Sequence, residues 1–390
     1  MNTNILLTGG RAPVTLELAR LLSQAGYNIF IAESLKHHLC RHSQAITKNF
    51  LVPPPRQNPQ AYISALLDII KQEKINLLIP TCEEIFYIAA GLKELSLFCQ
   101  VFTDSLDKLN LLHHKYEFTR LVEKIGLLTP KTWLVENQTE LNQVLKTLPL
   151  EKIILKPVYS RFANKIQILT KPFLENPDLD IQKNQPWVIQ EFIEGQHYCS
   201  YSIVHQGEIK AMAVYPTIFT DNKSSCVYFQ AIEHPQIYQW VKTLVQAIQF
   251  TGQIAFDFIQ TANGDLYPLE CNPRSISAIH LFQPSDKLEQ AFFNTTNHII
   301  QPTAKQPTMI AMAMIIYSLW SAIFKNQFTN WFKKFINSKD VIFRFSDPLP
   351  SLHLSIILFQ FWRISRKYNI SLQQATTTDI EWNGEKICKY

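Results

Sequence analysis

The run Ile254–Arg274, IAFDFIQTANGDLYPLECNPR, holds two carboxylates, an amide and a guanidinium at spacings that suit metal-assisted chemistry. Asn263-Gly264 between two alternating apolar runs predicts a tight β-hairpin. A two-residue turn sets Ala262 opposite Asp265, and by the same register Asp257 opposite Glu270 and Ala255 opposite Asn272. Residues two apart share a strand face, so Asp257, Glu270 and Asn272 converge. Two directly opposed carboxylates repel each other, and their pairing makes sense with a cation between them. An all-oxygen donor set favours magnesium or manganese over zinc. The plainer alternative is a solvated acidic strand face. Against it, Pro273-Arg274 follows at once and puts a permanent cation beside the carboxylates.

Upstream, Lys156 ends the apolar strand IILKP. Taken alone it reads as an exposed strand-end lysine. Combined with an acidic hairpin, it supplies the cation on one side of a cleft whose other end holds metal, which is what a triphosphate requires. The segment Val188–Gly195, VIQEFIEG, reads as an apolar strand running into a short linker whose backbone can pair with a flat base edge.

The first hundred residues must position a second rim. Strand Asn4–Thr8, a helix over Val14–Ala25, strand Asn28–Ala32, a helix over Pro59–Lys74, strand Leu77–Pro80, a helix over Glu84–Leu95 and strand Cys99–Phe102 alternate as in a parallel sheet covered by helices. Ligands of such sheets sit at the carboxyl ends of strands, which places Gly9, Gly10, Arg11 and Thr81–Glu84 on the rim. The run GGRAPVT lacks the third glycine of a dinucleotide fingerprint, so a tight strand-to-helix turn is the favoured reading. A helix over His113–Ile125 and one over Glu140–Leu148 follow. From Ile153 the pattern turns to β: Ile153–Lys156, Ile166–Leu169, Trp187–Phe192, Tyr198–His205 and Ile209–Tyr215, with Pro172–Gln185 an exposed excursion and a helix near Tyr238–Phe250.

A net charge of +5 over 390 residues, without a basic stripe, argues against nucleic-acid binding. Seven cysteines without CxxC spacing suggest neither zinc nor a disulfide framework, so a reducing cytoplasm is expected. The first residues lack the charged and apolar regions of a signal peptide. Two C-terminal stretches are unusually apolar: Thr308–Phe324, which is uncharged, and Leu352–Trp362, followed by Arg363, Arg366 and Lys367. A buried strand and helix closing the last domain is the expectation, and contact of 301–390 with a membrane surface is the alternative. The sequence carries no signal for oligomeric state.

Lys115, Lys156-Pro157, the run Gln190–Gly195 and the set Asp257, Glu270, Asn272, Pro273 and Arg274 together resemble the ATP-grasp superfamily, in its carbamoyl-phosphate-synthase-like group of carboxylate–amine ligases. The resemblance runs in order over residues 1–300. It implies an α/β fold: a Rossmann-like pre-ATP-grasp domain over 1–108, a small lobe over 109–194, a large lobe over 195–300 and a C-terminal extension over 301–390. Lys115 and Lys156 would contact nucleotide phosphates. Gln190, Glu191, Phe192 and Ile193 would hold adenine, with His197 near the ribose position in place of the family's usual acid. Asp257, Glu270 and Asn272 would bind one or two magnesium or manganese ions, and Arg274 would stabilise the transferred phosphoryl group. The implied reaction phosphorylates a small-molecule carboxylate with ATP and couples the acyl-phosphate to an amine, releasing ADP and phosphate. The loop after Lys156-Pro157 departs from the family in having no glycine, and Ala278 stands where glycine is common. The N-terminal half also resembles the ligase that makes mycosporine-glycine, which would make the activated group an enolic oxygen. A catalytically silent nucleotide-binding or scaffolding protein is the further alternative. Candidate substrate contacts are Arg11 and Glu83 on the first rim, Lys223 and Ser225 in a polar loop, and His280.

Overall fold

A computed structural model describes residues 3–160, 165–171, 179, 181–220, 226–324 and 326–387. The first segment forms a five-stranded parallel sheet of β1 (Asn4–Thr8), β2 (Asn28–Glu33), β3 (Lys48–Leu51), β4 (Leu77–Ile79) and β5 (Gln100–Val101), in the order β3-β2-β1-β4-β5. Ile5, Leu6 and Leu7 and their neighbours Ile29, Phe30 and Ile31 are all buried. A continuous apolar run is what a strand covered on both faces needs. Strand order reverses direction at β1 and β4, and the crevice at their carboxyl ends holds Gly9–Arg11 and Thr81–Glu84.

Two antiparallel sheets follow. One contains β6 (Thr132–Val135), β7 (Lys152–Pro157), β8 (Gln167–Thr170) and β9 (Trp187–Glu191), ordered β6-β9-β7-β8. The other contains β10 (Gln196–His205), β11 (Glu208–Pro216), β13 (Gly252–Gln260) and β14 (Leu266–Asn272), ordered β11-β10-β13-β14, and is backed by the amphipathic helix Pro235–Ala247. A small sheet joins β12 (Tyr228–Phe229), β15 (Thr308–Met309) and β16 (Lys339–Asp340). The chain is thus a mixed α/β protein with an N-terminal parallel sheet. Most expected elements stand within a few residues of their observed bounds. The helix expected over Glu84–Leu95 is two pieces, Ile85–Ala90 and Leu92–Leu95, interrupted at Gly91. The helix expected from His113 starts at Lys115, after a separate helix Leu106–His113 capped by Ser105. Most of the excursion 172–185 lies outside the described residues.

The C-terminal region departs from expectation. Among the described residues no helix is long and apolar enough to cross a membrane. The turns Ala311–Ala313, Met314–Ser318 and Leu319–Phe324 form a helical stretch whose inner positions Met314, Ser318 and Ala322 are buried. Its outer positions are not: Ile316 is 56%, Trp320 62% and Phe324 81% exposed. The stretch therefore closes the last segment along one side only. The final described residues turn back onto the elements that cover the first sheet, where Trp382 stacks on Phe86 of the helix Ile85–Ala90 with ring centroids 4.7 Å apart and Arg56 pairs with Glu381.

Candidate functional site

The hairpin of β13 and β14 sets Asp257 opposite Glu270 and Ala255 opposite Asn272, as its sequence predicts. The route to that register differs. Thr261 donates its N–H to the Asp265 carbonyl at 2.9 Å, and Gly264 donates to the Thr261 carbonyl at 2.9 Å, so three residues, not two, form the turn. Gly264 adopts φ +89°, which this loop type requires and glycine supplies. A β-bulge between Asp257/Phe258 then shifts the pairing, with Phe258 opposite Pro268. Leu269 is the extra residue on β14, an edge strand where Pro268 removes no needed ladder bond. The longer turn and the bulge each shift register by one residue, in opposite senses.

The bulge has a chemical use. Lys156 Nζ donates to the Leu269 carbonyl at 3.2 Å and to Gln190 Oε1 at 2.9 Å. Gln190 lies opposite Thr132 in the β6–β9 pairing and donates Nε2–H to Thr132 Oγ1 at 3.1 Å. One buried ammonium is thereby pinned between the two antiparallel sheets. Burial and the charge of Lys115 lower the Lys156 pKa to about 8, against the opposing pull of Glu270 and Asp257.

Lys115 opens the helix Lys115–Lys124, whose N-terminus is capped by the His114 side chain accepting from the Glu117 N–H. Its buried Nζ stands 3.5 Å from Glu270 Oε2 and donates to the Val158 and Ser160 carbonyls at 3.3 and 3.4 Å. Those two carbonyls belong to the glycine-free loop after Lys156-Pro157. Residues 161–164 of that loop lie outside the described residues.

The carboxylates are unequal. Burial and then the charge of Glu270 push Asp257 up. Burial would raise Glu270 as well, but Lys115 and Lys156 outweigh it and hold that carboxyl down. Asn272 Nδ2 lies 3.5 Å from Glu270 Oε1, and Arg274 donates to Asn272 Oδ1 at 3.2 Å. Facing carboxylate, carboxylate and amide oxygens, with one carboxyl pushed toward its neutral form by the other, fit a hard divalent cation. Such a cation would relieve the repulsion and let both ionise.

Arg274 extends the site toward the first sheet, its Nη2 lying 3.6 Å from the buried Glu83. The structure thus brings Lys115, Lys156, Gln190, Asp257, Glu270, Asn272, Arg274 and Glu83 into one continuous set. Glu191 ends β9, and Phe192 and Ile193 lie on the link to β10. There Glu191 Oε2 accepts from the Lys131 N–H at 3.1 Å, and Lys152 Nζ stands 3.6 Å over the Phe192 ring. Gly195 follows because a Cβ there would fall 2.1 Å from the Gln260 carbonyl. His197 is exposed on β10, paired in register with Ile259.

Two further candidate contacts lie outside this set. Arg11 lies on the first rim as expected, but buried, with Nη2 2.5 Å from Glu33 Oε1 and Nη1 2.5 Å from Asp379 Oδ1 and bonded to the Thr376 carbonyl. His280 is buried, with Nδ1 3.8 Å from Glu17 Oε2. Lys223 and Ser225 lie outside the described residues. Sequence reasoning missed Thr132 and the Leu269 carbonyl. The first had no signal beyond its place opposite Gln190, and the second none at all, since a backbone acceptor created by a bulge leaves no residue type to read.

A family model for an ATP-grasp domain matches residues 112–278. Among solved structures, the chain is similar to N5-carboxyaminoimidazole synthetase from Staphylococcus aureus complexed with ADP, at TM-score 0.65 and 14% identity over 84% of this chain and 87% of that one. It is similar to an L-amino acid ligase from Bacillus licheniformis, at TM-score 0.61 and 13% identity over 80% of each chain. It is also similar to a biotin carboxylase–βγ-ATP complex from Campylobacter jejuni, at TM-score 0.58 and 14% identity over 74% of this chain and 69% of that one. No curated protein matches the chain, and the likeness to the mycosporine-glycine ligase is not among these findings.

Proposed function

We propose that this chain, which carries an ATP-grasp domain, is an ADP-forming ligase that phosphorylates a small-molecule carboxylate and couples it to an amine. The observation that carries the reading is the meeting of Lys115 and Lys156 with the opposed pair Asp257 and Glu270. Two buried cations facing two carboxylates suit a polyphosphate and its counter-ion together. Asp257, Glu270 and Asn272 would hold one or two magnesium or manganese ions. The metal would neutralise phosphate charge during transfer.

The chain's own residues do the positioning. Lys156 is held at a fixed point by Gln190 and the Leu269 carbonyl, so its charge needs no reorganisation when a phosphate arrives. Lys115, now bonded to the loop carbonyls of Val158 and Ser160, is placed to exchange them for phosphate oxygens. Glu191, Phe192 and Ile193, where β9 runs into the link to β10, would receive the adenine edge. Arg274, bridging Asn272 and Glu83, is placed to stabilise the phosphoryl group as it leaves for the carboxylate. The acyl carbon is then attacked by the amine nitrogen, the C–O bond to phosphate breaks, and the amine proton leaves to solvent. Support for a carboxylate as the activated group comes from the structural likeness to an L-amino acid ligase. The division at 108, 194 and 300 into pre-ATP-grasp, small-lobe, large-lobe and C-terminal parts belongs to the same proposal.

The test is a screen of carboxylate and amine pairs for ATP-dependent phosphate release, with products identified by mass spectrometry. ADP and phosphate are expected with an amide product. AMP and pyrophosphate, or undiminished turnover in Glu270→Ala, would overturn the reading.

A further inference from the structure

Large apolar side chains lie outward mainly in one part of the molecule. Of the 27 that are exposed among the described residues, 20 fall between Met312 and Leu372. Single exposed apolar residues are ordinary; a concentration of them marks an interface. The helical stretch 311–324 has an outward face of Met312, Ile315, Ile316, Trp320, Ile323 and Phe324 without a charged residue. On the next helix, Phe328–Ile336, the outward positions Phe328, Phe332 and Ile336 recur every four residues.

These helices already have their inner partners. Trp331 Nε1 donates to Ser318 Oγ at 2.8 Å, which locks the two together, and Met314 and Ala322 are buried beside that bond. The outer faces are what remains after internal packing is satisfied.

Charge identifies what covers them. Residues 308–375 contain eight Lys and Arg against two Asp, more positive charge than the +5 of the whole chain. Both Asp, and Arg344 among the eight cations, are occupied internally: Asp340 accepts from the Ala311 and Phe343 N–H groups at 3.0 and 2.8 Å, Asp347 pairs with Arg20 at 2.9 Å, and Arg344 pairs with Glu17 at 2.5 Å. A third helix, Leu354–Tyr368, repeats the pattern, with Phe359 stacked on Trp362 and exposed Arg363, Arg366 and Lys367 in the following turns. A second copy of the same surface would bring like charges together. An anionic lipid surface accepts both the aromatic face and the basic flanks.

We propose that the helices 311–324, Phe328–Ile336 and Leu354–Tyr368 dock the protein on an anionic membrane surface, lying in the interface without crossing it. Trp320 and Phe324 enter the headgroup boundary, and the basic residues meet acidic lipid headgroups. The proposal is independent of the ligase reading.

The test is co-sedimentation of the full chain with phosphatidylcholine vesicles, with and without phosphatidylglycerol. Binding is expected only with the anionic lipid, and is expected to fall as salt rises. Replacing two exposed aromatic anchors in Trp320→Ser/Phe324→Ser should lower vesicle affinity by about tenfold or more. Arg363→Glu/Arg366→Glu should abolish the preference for anionic lipid. Melting temperature and nucleotide binding, measured alongside, should hold in both variants. Equal binding to neutral vesicles, full binding by both variants, or absence of vesicle binding in a chain whose dimer is lost in Trp320→Ser/Phe324→Ser would each overturn the proposal.

Discussion

Among the regions of this molecule that bury charge, two do so in contrasting ways. On the rim of the first sheet, Arg11 is answered on every side: Glu33 takes Nε and Nη2, and Asp379 takes Nη1 and Nη2. Burial works against each of these charges, yet the partners hold Arg11 up and both Glu33 and Asp379 down. At the hairpin the ledger stays open. Asp257 faces Glu270 and is pushed up, while Lys156 sits below the ordinary lysine range at about 8. A buried cluster that closes internally is architecture. One that leaves a carboxyl partly neutral and an ammonium partly deprotonated is waiting for a charged ligand.

That contrast can be broken in three places. The largest effect is expected at the hairpin on turnover: Asp257→Asn should slow ATP-dependent phosphate release by about 10²–10³-fold. The same change should leave the melting temperature of the unliganded protein unchanged or higher at neutral pH. The sign follows from the raised pKa. A carboxyl raised in the folded state contributes its stability below the unfolded carboxyl value and loses it as pH climbs through the folded one, and asparagine has no such loss. A large drop in melting temperature with turnover retained would make the hairpin architecture after all.

At the rim the expectation inverts. Arg11→Met strands Glu33 and Asp379 and should destabilise the fold by about 3–5 kcal/mol in chemical denaturation. Its effect on the KM for ATP should be small. A stable Arg11→Met protein with altered substrate KM would instead return Arg11 to substrate binding.

The smallest effect is a proton. In the unliganded protein Lys156 loses its charge as pH rises through about 8. A bound phosphate favours the ammonium, so nucleotide binding above that pH should take up close to one proton. Titration calorimetry at pH above 8 in two buffers of different ionisation enthalpy measures this, and Lys156→Met should remove it. Uptake that persists in the variant would assign the proton to another group.

How much of this could be read from the sequence depends on how far apart the partners lie along the chain. Asp257, Glu270 and Asn272 share one hairpin, and alternation plus Asn-Gly was enough to set them facing, although the turn and bulge that achieve it were not foreseen. A one-residue error in the turn was cancelled by a one-residue bulge, a coincidence that period-two reasoning cannot detect. β3, with sequence KNFL, was missed because an edge strand with half-exposed residues lacks the apolar run of its neighbours. The saturation of Arg11 was invisible for a different reason: its partner Asp379 lies at the far end of the chain, and nothing in the local sequence of either residue names the other. The C-terminal apolar stretches were legible as apolar but not as outward-facing, since a helix in a core and one at an interface can carry the same residues.

The Arg11–Asp379 pair also has a bearing on how the protein is made. β1 and β2 leave the ribosome well before the segment that holds Asp379, and they bring the Arg11 guanidinium and the Glu33 carboxylate with them. The second carboxylate cannot arrive until residue 379 has been synthesised and cleared the exit tunnel. Until then this sheet is incomplete at its rim, and the arrival of Asp379 is the event that closes it.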